Sequence, residues 1–114
     1  MSFTKEHAES SAKKLKTKPK DNNLPRLEVL ELKDGAHVVQ QIWCNGKFVN
    51  KFGIKHAARR DNSHGWVARD LDLSPTRMRD FALCHMPIDE MIQHFVDQGL
   101  IELPDTQNEE QAEP

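Results

Sequence analysis

Asn45-Gly46 constrains this chain more than any other dipeptide. A two-residue hairpin turn needs positive φ at both central positions, and Asn and Gly adopt it at little cost. The run before it, residues 37–44, is rich in β-branched and aromatic side chains, among them Val38, Val39, Ile42 and Trp43. The run after it, residues 47–52, alternates, which places Phe48 and Phe52 on one face and Lys47 and Lys51 on the other. Upstream, residues 27–32 supply Leu27, Val29, Leu30 and Leu32, and the Asp34-Gly35 pair that follows suits a second tight turn. The expectation is a three-stranded antiparallel β-meander over residues 25–53, closed by Gly53.

Beyond Gly53 the period changes. Residues 54–60 have helix-forming composition and run into Asp61, Asn62 and Ser63, which are turn and cap residues. A further helix is expected over residues 66–71. Ser74-Pro75 is a clear helix start, with a capping hydroxyl followed by a proline whose missing N–H is not needed there, and this helix is expected to reach residue 84 or 85. Pro87 opens the last helix, with Asp89 and Glu90 in the turn where the macrodipole favours acids. Its apolar residues Ile88, Met91, Ile92, Phe95 and Val96 form one stripe, which suits a core or a dimer seam. Gly99 ends it, and residues 100–103 are expected to return as a short strand. The fold class is therefore α+β, with the meander first and a helical region over residues 54–104.

A chain of 114 residues suits one domain with polar margins. Residues 1–24 nearly lack large apolar side chains and are expected to form a flexible basic arm. Residues 105–114 are acidic and are expected to be a disordered tail. No apolar run approaches the roughly 18 residues that span a bilayer. The first residues hold no apolar stretch of the secretory kind, so the expected location is cytoplasmic, with no membrane partner. Cys44 and Cys84 have no Cys-x-x-Cys spacing and read as packing residues. No local pair of Cys or His seeds a metal site, and the glycines form no phosphate-cradling loop, so the sequence calls for no cofactor.

The net charge of −2 conceals a strong segregation. Residues 1–24 carry a net charge of +3 and residues 47–79 one of +5, whereas residues 80–114 contain neither Lys nor Arg and carry −9. A fold that keeps these segments on different faces would be an electric dipole with one surface suited to a polyanion.

The positive segment coincides with a motif. Residues 66–81, Trp66-Val67-Ala68-Arg69-Asp70-Leu71-Asp72-Leu73-Ser74-Pro75-Thr76-Arg77-Met78-Arg79-Asp80-Phe81, resemble the helix-turn-helix of DNA-binding transcription regulators. Ala68 matches the small residue where the two helices touch, and Val67, Leu71, Leu73, Met78 and Phe81 match the apolar positions. Asp72 stands where that family usually has glycine, and Asp tolerates the left-handed backbone required there. The resemblance places the motif at about residues 64–84 and makes the helix from Pro75 a recognition helix. Thr76, Arg77 and Arg79 then face the major groove, with Arg77 the first choice for bidentate bonding to guanine. Arg69 and Ser74 would lie near the DNA backbone. Arg59, Arg60, Lys55 and the lysine arm would add phosphate contacts, which raise affinity without choosing sequence.

The implied protein is a small sequence-specific regulator of bacterial, plasmid or phage type. It would bind double-stranded DNA as a homodimer, since one short recognition helix per chain gains affinity from two half-sites. A fainter likeness, carried by residues 71–74 and 91–101, is to the small subunit of flagellar-type master transcription activators, a mostly helical family with no place for the meander. Catalysis is not expected: His85 beside Cys84, or Asp61 near His64, does not make a nucleophile, base and orienter set. The competing expectation is an adaptor or inhibitor that binds a basic protein through the acidic C-terminal face.

Overall fold

The two tight turns fold the first half of the core into the expected meander. In a computed structural model that describes residues 3–103, β1 (Glu28–Asp34), β2 (His37–Cys44) and β3 (Lys47–Lys55) pair antiparallel in the order β1-β2-β3. Asn45 and Gly46 both take positive φ, 52° and 80°, as a type I′ turn demands. The first turn is shifted by one residue from expectation: Asp34 closes β1 against His37, and Gly35 (φ 64°) and Ala36 make the corner. Among the described residues four helices complete the α+β fold: α1 (Lys5–Leu15), α2 (Trp66–Asp70), α3 (Pro75–Ala82) and α4 (Ile88–Asp97).

Strand β3 corrects two expectations. Phe52 is buried but Phe48 is exposed, so they do not share a face. The pairing steps from Ile42↔Asn50 to Trp43↔Phe48, leaving Val49 as the extra residue of a β-bulge. One inserted residue flips everything beyond it to the other face, so Val49, Phe52 and Ile54 point into the core. The strand also continues past Gly53 through Ile54 and Lys55, opposite Val38 and His37, where a helix was expected over residues 54–60. β-branched Ile54 joins the buried alternation, and the residues that follow form turns.

The larger correction lies at the N-terminus. Most of the expected flexible arm is ordered: Lys5–Leu15 is helix α1, and the folded unit begins by residue 3 rather than residue 25. Thr4 caps α1 in a capping box with His7, Glu6 stands in the first turn, and Lys13 and Lys14 stand in the last, each charge on the side the macrodipole favours. Ala8, Ser11, Ala12 and Leu15 form its buried face. Small side chains bring little apolar area but let a helix approach its neighbours closely, a signal that a count of large apolar residues misses. Phe3 is buried beside them. Residues 105–114, the expected tail, lie outside the described residues.

The core fills the space between the inner face of the sheet, through Ile42, Cys44, Val49, Phe52 and Ile54, and the helices, through Leu15, Val67, Leu71, Met78, Phe81, Met91, Ile92 and Phe95. The α4 stripe is therefore core: Ile88, Met91, Ile92 and Phe95 are buried and Val96 half-buried. Residues 100–103 form no strand, although Ile101 is buried.

Three helices end alike. After α2, the N–H of Asp72 donates to the carbonyl of Arg69 and that of Leu73 to Ala68. After α3, Cys84 donates to Phe81 and His85 to Asp80. After α4, Gly99 donates to Val96 and Leu100 to Phe95. Each pair of bonds is a Schellman motif, whose hinge residue must be left-handed. The hinges Asp72, Cys84 and Gly99 have φ of 56°, 66° and 80°.

Candidate nucleic-acid interface

The local sequence positions α3 from both ends. Ser74 accepts the N–H of Arg77 at 3.1 Å and Pro75 opens the first turn, while the Schellman end of α2, turning at Asp72, delivers the chain to that cap. Gln98 steadies the corner by donating to the Asp72 carboxylate at 3.0 Å. Met78 and Phe81 are fully buried and anchor one side of α3, leaving Ser74, Thr76 and Arg77 exposed on the other. Each anchor contributes about 1.5–3 kcal/mol by burial, ample to fix which face of so short a helix looks outward.

The remaining expected residues divide. Arg79 is half-buried, with its Nε shielded and without a hydrogen-bond partner among the described residues, so it is less free to reach outward than Arg77. Thr76 and Arg79 share a depression of about 260 Å³ with Phe3, Pro75 and Asp80. Phe3 belongs to the site and was not foreseen, and the Asp80 carboxylate dilutes the positive charge there. Residues 3–6 also bind the loop that carries Arg59 and Arg60: Lys5 donates its N–H to Asn62, Glu6 donates to Arg60, His64 donates to Phe3, and Thr4 bridges Ser63. The stretch from Phe3 to Glu6 therefore joins that loop to the start of α3.

Arg60 is partly spent, since its Nη2 lies 2.6 Å from the Glu6 carboxylate. Arg59, Arg69 and Lys55 are exposed, but none of them lines the depression. Lys55 sits at the end of β3, where its backbone N–H donates to Nε2 of His64 at 3.0 Å.

The lysines expected to act as an arm are also divided. Nζ of Lys5 donates to the carbonyls of His56 and Ala58. Nζ of Lys14 donates to the carbonyls of Phe81 and Met86 and lies 4.7 Å from the Phe81 ring centroid, capping the end of α3. Neither is a free phosphate contact. Lys13, Lys16, Lys18 and Lys20 are exposed. On the acidic side, the Asp89 carboxylate accepts the N–H groups of Lys20 and Asp21, which holds its pKa below the usual 3.8 and ties the segment after α1 to α4.

Among the described residues, His64, Cys44 and Cys84 lie apart from one another in the sequence and differ in burial. His64 is fully buried, with Nε2 accepting from Lys55 and Nδ1 facing the carbonyl of Asn62. Burial holds its pKa below the ordinary 6.5. Cys44 is buried and its thiol pKa is raised by that burial and by the nearby Glu28 carboxylate, whereas Cys84 is exposed. Among the described residues no three His, Cys, Asp or Glu side chains gather as metal ligands, and no helix is long and apolar enough to cross a membrane. No family model matches this chain, and no curated protein or solved structure matches it either.

Proposed function

We propose that the chain binds double-stranded DNA through α3 as a small transcription regulator, with α2, the Asp72 turn and α3 acting as a helix-turn-helix. The observation that carries this reading is the division of α3: Met78 and Phe81 are buried while the cap Ser74 and the first-turn residues Thr76 and Arg77 stand exposed behind a left-handed turn at Asp72. Arg77 is the reader of base edges. Thr76 and Ser74 meet the sugar-phosphate backbone beside it, and Arg69, Arg59 and the exposed lysines strengthen phosphate attraction. Arg79, half-buried beside Phe3, orients the helix more than it reads sequence.

Fluorescence anisotropy with upstream genomic DNA and a mixed-sequence duplex, across a salt series, tests this reading. Arg77→Ala is expected to lower discrimination between the two duplexes by about 1–3 kcal/mol, as loss of a bidentate base contact does. Arg59→Ala is expected to weaken both duplexes alike and flatten the salt dependence by about one unit. Absence of binding at about 50 mM salt would end the DNA reading. It would turn attention to the acidic stretch after Arg79 as a surface for a basic partner protein.

A further inference from the structure

The two edges of the sheet are treated differently. Along β3, the N–H of Lys55 is taken by His64, the carbonyl of Gly53 accepts Nε1 of Trp66 at 2.9 Å, and Asn50 reaches the carbonyl of Asp70. Along β1 no such cover exists among the described residues: it pairs with β2 alone, and every residue but Val29 is exposed. The turn at Gly35 and Ala36 makes Asp34 and His37 a hydrogen-bonded pair, and such pairs alternate along an antiparallel ladder. Val29, Glu31 and Lys33 therefore direct their backbone N–H and C=O groups to the open edge. Leu30 and Leu32 stand on the outer face, 50% and 43% exposed, in line with the exposed Phe48 (47%) and its edge-to-face neighbour Trp43. Open, apolar edge strands pair with other strands unless something deters them.

The charges on β1 select the partner. Glu31 and Lys33 deter strands at large, but the same strand run in reverse offers them opposite charges. If Glu31 sat opposite its own copy, Glu28 would also face Asp34, and every charged pair would repel. One step along, Glu31 faces Lys33 twice and Leu32 faces Leu32. Residues 105–114, the other candidate cover, contain no large apolar side chain.

We propose that β1 pairs antiparallel with β1 of a second copy, Leu32 opposite Leu32 and Glu31 opposite Lys33 of the partner subunit, to form a continuous six-stranded sheet. The two-fold axis is then perpendicular to the sheet. It keeps both inner faces, and the helices packed on them, on one side. This deepens the DNA reading by giving the two recognition helices a shared side, but it stands or falls separately.

The test uses the full chain. In sedimentation equilibrium Glu31→Lys is expected to weaken dimerisation about tenfold, because two attractive cross-strand pairs become repulsive, and adding Lys33→Glu restores it. On a Cys84→Ser background, Leu32→Cys is expected to give a covalent dimer under mild oxidation. Leu30→Cys, which faces Asp34 in this register, gives none. All five positions are exposed, so folding is not at stake. A monomer at about 100 µM, far above the micromolar range of modest association, overturns the proposal. So does a dimer indifferent to Glu31→Lys, or one that cross-links through Leu30→Cys instead. A monomer that still binds DNA would end this proposal alone, and a dimer that ignores DNA would end the DNA reading alone.

Discussion

Helices α1 and α4 both bury a full face in the same core, by opposite means. Helix α4 does it with bulk, through Ile88, Met91, Ile92 and Phe95. Helix α1 does it with closeness, through Ala8, Ser11 and Ala12, with Leu15 its one large buried side chain. What α1 lacks in apolar area it replaces with ties at both ends: the Thr4–His7 capping box, backbone bonds from Lys5 and Glu6 to residues 60–62, and the Lys14 ammonium on the end of α3. A helix of large side chains tolerates modest repacking and fails when volume is removed. One of small side chains has little volume to lose and fails when volume is added.

That contrast is breakable by experiment. The largest effect is expected for Phe95→Ala in α4, a loss of about 3–5 kcal/mol in urea unfolding followed by tryptophan fluorescence. A loss below about 1 kcal/mol would mean that α4 is not held by bulk. Next comes Ala8→Leu in α1, expected to cost about 1–3 kcal/mol by overpacking, whereas Met91→Leu in α4 should cost less than about 1.5 kcal/mol. Equal tolerance at the two sites would erase the distinction. Thr4→Ala removes the capping hydroxyl and should cost about 1 kcal/mol, with faster amide exchange in the first turn of α1 as its local signature. Cys84→Gly, at a left-handed hinge, should stabilise the protein by about 0.5–1 kcal/mol, read as a rise in melting temperature.

The pH dependence probes the same ties. His64 is held below its ordinary 6.5 by burial, so the unfolded chain takes up that proton more readily than the folded one. Stability from this source is complete above 6.5 and is lost as the pH falls below it. Melting curves at about pH 7.5 and about pH 5 should show a loss that His64→Gln reduces. An unchanged loss in that variant would assign the effect to other groups.

Much of the fold could be read directly from the residues. Asn45-Gly46, Ser74-Pro75, the α4 stripe and Gly99 each impose a local geometry that no tertiary contact opposes, and Asp72 takes the left-handed backbone foreseen for it. Two features stay hidden in the sequence, each for its own reason. The bulge at Val49 is set by the fit of Phe52 and Ile54 to the core, and no local residue announces it. Helix α1 was obscured because His7 does the work usually given to Glu or Gln in a capping box, and because its packing face is made of alanine and serine. Of the candidate interface, the cap and the exposed Thr76 and Arg77 were legible. The burial of Arg79, the presence of Phe3 and the pairing of Arg60 with Glu6 arise from contacts more than fifty residues apart in the chain.

Of the two cysteines, Cys44 is enclosed in the sheet with its thiol held protonated, while Cys84 lies in the open two residues beyond the last turn of α3. A maleimide fluorophore or nitroxide would therefore attach to the native chain at one place. From there it would report on α3 as ligands are added, with no engineered substitution to disturb the helix under observation.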